Sequence, residues 1–200
     1  MEARGVVIVI DVIRAFTVAA YAFAGGVARL WLVSAVDEAF AAADVHGRLL
    51  IQRTGAGTQG ATRAVNAAHL LVCSLVNAQA TATYARKLAG TTGGLITLLP
   101  TFSRINVVSE DEICADYLEA LLREREDAAD IVTNSITQLR TLGRFAQWEQ
   151  GDQDFPFGDI AKILDANRFD FAMVGTRKQW NGIAYVEVER RDPTELIDRH

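Results

Sequence analysis

Cysteine is nearly absent from this 200-residue chain: Cys73 and Cys114 are the only two, far apart and each in an apolar setting. A disulfide framework or a cysteine-based zinc cluster needs more sulfur at closer spacing, so both are excluded, and the two residues read as buried thiols in a reducing compartment. Histidine is scarce as well. His46 and His69 stand alone without metal-ligand spacing, and His200 is terminal. There is no basic stripe or arginine-rich tail, and the formal charge is -5, so the electrostatic footprint of a nucleic-acid binder is missing. The start, Met1-Glu2-Ala3-Arg4-Gly5, lacks the basic-then-apolar build of a signal peptide. The run Val6–Ile10 is far too short to span a bilayer. These absences predict a cytoplasmic protein with no membrane or nucleic-acid partner.

Other chemistries are missing too. The one glycine-rich loop, Arg53–Gly60, is followed by no Gly-Lys-Ser/Thr, and its glycines are not spaced as in a dinucleotide fingerprint, which argues against a nucleotide-binding enzyme. Ser103, Cys73 and Cys114 have no nearby base that would announce a nucleophilic triad. Trp31, Trp148 and Trp180 read as core or lid residues.

What is present is an α/β pattern. Half the residues are hydrophobic and 22% are charged, an ordinary balance for a soluble globular protein whose length is ample for a sizeable core. Val6–Ile10 is a continuous β-branched run, as expected of a strand covered on both faces. Further strands are predicted at Leu30–Val33, Leu49–Gln52, His69–Cys73 and Leu95–Leu99, with a weakly alternating edge strand at Ile183–Val188. Helices are predicted over Arg14–Gly25, Ala61–Ala67, Asn77–Leu88 and Ser109–Arg125, and two or three more between Asp130 and Ala166. Short strands alternating with helices of about a dozen residues predict a three-layer α/β/α sandwich with a mostly parallel or mixed sheet. Residues 1–200 read as a single domain, with the more helical and charged region from about residue 126 as a cap or second lobe. The fairly apolar composition is compatible with a homodimer.

In open α/β sheets, ligands bind beyond the carboxyl ends of strands, and four stretches fall at such places. The first is Asp11 to Thr17. An acid directly after an apolar strand is costly to desolvate without a partner, and Arg14 is near enough to share its site. The pair suits a divalent cation plus an anionic substrate, or equally a structural ion pair or helix cap. The second is Arg53–Gly60, whose three glycines allow close backbone approach and whose following helix offers N–H groups to an anion; the alternative is an ordinary strand–helix turn. The third is Ser74–Asn77, where Asn77 caps a helix or reaches a ligand. The fourth is Glu110-Asp111-Glu112, acids that complement a helix dipole or supply a second metal carboxylate.

Together these stretches carry a family resemblance. Val-Val-Ile-Val-Ile-Asp-Val-Ile-Arg-Ala-Phe-Thr at 6–17 resembles the opening motif of the 2-phosphosulfolactate phosphatase family. So do Gln-Arg-Thr-Gly-Ala-Gly-Thr-Gln-Gly at 52–60, Ser-Leu-Val-Asn-Ala at 74–78 and Ser-Glu-Asp-Glu-Ile-Cys-Ala at 109–115, in the family's order. Weaker echoes are Asp-Phe-Pro-Phe-Gly-Asp-Ile at 154–160 and Asn-Arg-Phe-Asp-Phe-Ala-Met at 167–173. The resemblance implies a magnesium-dependent phosphohydrolase acting on 2-phospho-3-sulfolactate, a coenzyme M precursor. By motif position Asp11 is the leading metal ligand or catalytic acid, Arg14 an anion clamp, and Glu110 or Asp111 the remaining acidic side. Thr17, Arg53, Thr54, Gly57, Thr58 and Asn77 would line the substrate pocket.

The chain departs from the family pattern at one place. Relatives carry a Gly-Glu pair and an Asn-Ser-Pro stretch between the second helix and third strand, whereas here Ala41-Ala42-Ala43-Asp44 runs directly into Val45-His46-Gly47-Arg48. The missing piece would contribute an acid and pocket wall. Its loss motivates a second expectation, a family member that binds an anionic metabolite or a protein partner without turnover.

Overall fold

The computed structural model describes residues 3–35, 49–91, 93–102, 109–141 and 159–195. Seven strands form one mixed sheet: β1 (Gly5–Ile10), β2 (Arg29–Leu32), β3 (Leu49–Gln52), β4 (Ala67–Cys73), β5 (Ile96–Pro100), β6 (Ala172–Trp180) and β7 (Ile183–Arg191), in the order β3-β2-β7-β6-β4-β1-β5. The pairings make β1, β4, β5 and β7 run one way and β2, β3 and β6 the other. Six helices accompany the sheet among the described residues: α1 (Ala15–Ala24), α2 (Gly57–Arg63), α3 (Ala78–Ala89), α4 (Glu110–Leu122), α5 (Ala128–Thr141) and α6 (Asp159–Ile163).

β1 explains why the molecule has three layers. All of Val6–Ile10 is fully buried, so neither face of the strand meets water. Val6, Ile8 and Ile10 pack with Leu88 of α3, Ile113 and Leu118 of α4 and Leu139 of α5. Val7 and Val9 pack on the opposite side with Phe16, Ala19 and Phe23 of α1 and Ala61 of α2. Each such side chain is worth roughly 1.5–3 kcal/mol when removed from water, so β1 is a principal anchor of the sandwich. No helix among the described residues is long and apolar enough to cross a membrane.

The C-terminal strands correct the sequence reading. Ile183–Val188 was expected at an edge; β7 instead lies inside the sheet, paired with β2 and β6, and among the described residues the edges are β3 and β5. The unforeseen β6 is the reason. Its second half, Thr176–Gln179, is exposed and polar and gives no apolar signature. The turn Asn181-Gly182, with φ of 48° and 80°, is the hairpin signal that joins the two strands. A second correction concerns the glycine-rich stretch: helix was expected from Ala61, yet α2 starts at Gly57, so half of that loop is its first turn. His46, His200, Ser103, Trp148 and the 36–48 segment lie outside the described residues.

Candidate active site

The carboxyl ends of β1, β4 and β5 lie side by side, because the three strands are parallel neighbours in register: Ile10 is opposite both Cys73 and Pro100. Asp11, Ser74 and Thr101 therefore emerge together.

Asp11 is only 5% exposed, and both its oxygens are held by backbone donors. Ala15 N–H, at the start of α1, donates to Oδ1 at 3.1 Å, and Gly57 N–H, at the start of α2, donates to Oδ2 at 2.8 Å. Burial raises the carboxyl's pKa, and these two hydrogen bonds oppose it. Gly57 is required by this approach. A Cβ there would lie 2.5 Å from Asp11 Oδ2 and 2.9 Å from Ala15 Cβ. So α2 reaches the site through a helix start, although β3, which precedes it, runs opposite to β1.

Asp111, 2% exposed, is the second buried acid. Its Oδ1 accepts from Val12 N–H at 2.7 Å, and its Oδ2 accepts from Thr101 Oγ1 at 3.1 Å and Phe102 N–H at 3.0 Å. One carboxylate thus ties the start of α4 to the ends of β1 and β5. Burial, reinforced by the charge of Asp11, pushes its pKa up to about 6, against the pull of those three donors. The helix start is fixed by a capping box in which Ser109 Oγ accepts Glu112 N–H and Glu112 Oε2 accepts Ser109 N–H. Glu110, on the same turn, is also buried at 5% exposure. Among the described residues, no three of His, Cys, Asp and Glu lie close enough together to hold a metal by themselves.

The other predicted residues divide by what they touch. Arg14 is half-exposed and lies 3.9 Å from Asp159 of α6. The buried Thr17 donates to Val12 O at 2.8 Å and shares a 2.8 Å contact with Ser74 Oγ, which fastens α1 to the end of β4. Thr54 and Thr58 hydrogen-bond one another: Thr54 N–H donates to Thr58 Oγ1 at 2.9 Å and Thr58 N–H to Thr54 Oγ1 at 3.2 Å. Their hydroxyls close the turn that presents Gly57. Arg53 is exposed just before it. Asn77 is fully buried; its Oδ1 accepts Ser74 N–H at 3.1 Å and its Nδ2 donates to Thr81 Oγ1 at 3.1 Å. Its amide is committed to capping.

Three residues given no role from the sequence complete the centre, one of them, Ser74, from a stretch singled out there. Thr101 orients Asp111, and Ser74 meets Thr17. Gln52 donates from Nε2 to Ala15 O at 2.9 Å, while its Oε1 is the one buried side-chain oxygen or nitrogen among the described residues without a hydrogen-bond partner. Two cavities flank this centre. One, of about 540 Å³, is lined by Gly55, Ala56, Gln59, Gly60, Arg63 and Thr101, among others. The other, of about 430 Å³, lies between α1 and α6 and is lined by Arg14, Thr17, Tyr21, Asp159 and Lys162 with small apolar neighbours.

The acidic centre thus lies at the ends of parallel strands, inside a three-layer α/β fold. Comparison with known proteins makes the assignment specific. The 2-phosphosulpholactate phosphatase profile matches residues 1–51 and 40–152. A probable 2-phosphosulfolactate phosphatase from Bacillus subtilis (strain 168) is 33% identical over 175 residues, covering 68% of this chain and 69% of that protein. The chain belongs to the 2-phosphosulpholactate phosphatase family.

Proposed function

We propose that this protein is a magnesium-dependent phosphatase that hydrolyses 2-phospho-3-sulfolactate to 3-sulfolactate and phosphate, a reaction of coenzyme M biosynthesis. The observation that carries the proposal is the buried Asp11–Asp111 pair at the ends of β1 and β5. Burial raises the protonation of both carboxylates, and the charge of Asp11 raises that of Asp111 further, which is costly for a structural pair and useful for a cation site.

The donor set fits magnesium. That ion takes hard oxygen ligands, uses one or two carboxylates, and fills its remaining positions with water and substrate phosphate. Asp11 and Asp111 would hold it, the two carboxylates such an ion needs, and Glu110 is not close enough to complete a cluster of three acids with them. When bound, magnesium supplies charge neutralisation at the phosphoryl oxygens. The protein's own groups do the rest. The N–H groups of Ala15 and Gly57 fix the Asp11 carboxylate in one orientation, so little reorganisation is needed during reaction. Arg14 and Arg53 supply cationic hydrogen-bond donors for charge that develops as the ester bond breaks. Thr17, Thr54, Gly57, Thr58 and Asn77 form the walls that keep those groups in register.

The test is phosphate release from 2-phospho-3-sulfolactate by the purified protein, with magnesium and after chelation. Metal-dependent turnover is expected. Binding of 3-sulfolactate with no turnover in either condition would overturn the enzymatic proposal in favour of a non-catalytic metabolite binder.

A further inference from the structure

Of the two cavities that flank the acid pair, the one of about 540 Å³ beside α2 is the simpler in charge. Arg63 is the only ionisable residue in its lining, and among the described residues no carboxylate pairs with it. The other walls are glycines, small apolar side chains and neutral polar groups such as Asn66. This cavity therefore carries net positive charge, whereas the one between α1 and α6 has an acid, Asp159, in its wall. A guanidinium offers a planar fork of donors that matches a carboxylate or sulfonate.

The fold sets Arg63 there. Ala56, Gln59, Gly60 and Arg63 recur at helical spacing along one face of α2, and all four line the cavity. Gly60 lets that face lie close on the strand ends: a Cβ there would come within 2.9 Å of both Val9 Cγ1 and Thr101 Cγ2. The cavity also reaches the acid pair at two points. Thr101, in its wall, donates to Asp111 Oδ2, and Ala56 precedes Gly57, whose N–H holds Asp11 Oδ2. Arg63 is six residues beyond Gly57, roughly 9 Å along the helix axis. A three-carbon ester with its phosphoryl group at the acids, met by an extended arginine side chain, covers that span.

We infer that this cavity seats the organic part of the substrate, and that Arg63 holds its second anionic group, a sulfonate or carboxylate. The inference rests on the phosphatase proposal for its choice of ligand. It makes Arg63, at the far end of the helix that opens on Gly57, a specificity-determining residue.

The experiment pairs calorimetric binding of 3-sulfolactate, which does not depend on turnover, with kinetics, for wild type, Arg63→Gln and Arg63→Glu. Arg63 is exposed and makes no ion pair among the described residues, so both variants should fold as wild type does. Arg63→Gln should weaken 3-sulfolactate binding about tenfold, the loss of one charge-assisted contact. Arg63→Glu should weaken it further, since repulsion replaces attraction. In kinetics, both should lower kcat/KM for 2-phospho-3-sulfolactate by a larger factor than for 4-nitrophenyl phosphate, mainly through KM. Absent binding in wild type, unchanged binding in Arg63→Gln, equal losses in Arg63→Gln and Arg63→Glu, or equal losses on both substrates would each overturn the inference. If wild type binds 3-sulfolactate with this pattern yet releases no phosphate, the phosphatase proposal fails while the subsite stands. Magnesium-dependent turnover with no substrate-selective loss in either variant removes the subsite and leaves the phosphatase proposal intact.

Discussion

At the scale of single residues, Gly57 and Asp111 make the sharpest claims. At Gly57 what matters is the missing Cβ, since any side chain would run into Asp11 and Ala15. Gly57→Ala is expected to cost about 1–3 kcal/mol of stability by forced repacking. It should also lower the hydrolytic rate by on the order of 10²–10³, as for loss of a pre-organised charge stabiliser. Urea melts and phosphate-release rates check the two parts separately. Asp111 titrates unusually high, from an ordinary 3.8 to about 6. Between those values the folded chain binds more protons than the unfolded one, so the contribution of Asp111 to stability falls as pH rises through that window. A cation bound to its ionised form must displace that proton. Apparent magnesium affinity, measured by calorimetry, should therefore hold steady above pH 6 and fall about tenfold per unit below it, down toward the range of ordinary carboxylates. In Asp111→Asn this step should vanish.

At the scale of elements, the site is assembled from helix starts. α1 and α2 each give an N–H to Asp11, and α4 presents Asp111 one residue inside its first turn. The cap that sets α4 thus also sets the position of Asp111. Ser109 also donates to Phe102 O at 2.6 Å, which joins the helix start to the chain leaving β5. Ser109→Ala is expected to cost about 0.5–2 kcal/mol and to reduce activity by more than that loss of stability accounts for, because Asp111 shifts with the turn. Denaturation curves and rates at a temperature where the variant is fully folded separate these effects. The element scale also shows what was legible in the sequence. Val6–Ile10 announced β1, and the acid immediately after it announced a buried, partnered carboxylate, because a charge at the end of a buried run must meet a partner there. The start of α4 was legible from its cluster of acids, which complement a helix dipole, whereas the capping box between Ser109 and Glu112 came only with the structure. The close packing of Gly57 on Asp11 was not legible, since β3, which leads into α2, is far from β1 in the sheet order and runs opposite to it, and no local pattern brings the two together.

At the scale of the whole molecule, the β6–β7 hairpin joins the β2–β3 half of the sheet to the β4–β1–β5 half. This was the least legible part of the fold. Gly175 ends the apolar run within β6 and the exposed Arg177 and Lys178 follow it, so neither alternation nor an apolar run marks the strand. The cavity around Asp159 and Lys162 was equally hidden, because it forms only when the C-terminal region returns against α1. Gly182 sits at φ 80° in the hairpin turn, a conformation unfavourable for alanine. Gly182→Ala should lower global stability by about 1 kcal/mol, with a single cooperative transition and no change in kcat, since the turn is remote from the acid pair.

The central claim is that Asp11 and Asp111 form a magnesium-dependent phosphatase centre. Its most direct test is the rate of phosphate release from 2-phospho-3-sulfolactate by wild type and Asp11→Asn, each with saturating magnesium and each with chelator. The account predicts turnover only for wild type with magnesium, and loss on the order of 10²–10³ in the variant. Wild-type rates in Asp11→Asn, or turnover undiminished by chelation, would contradict it.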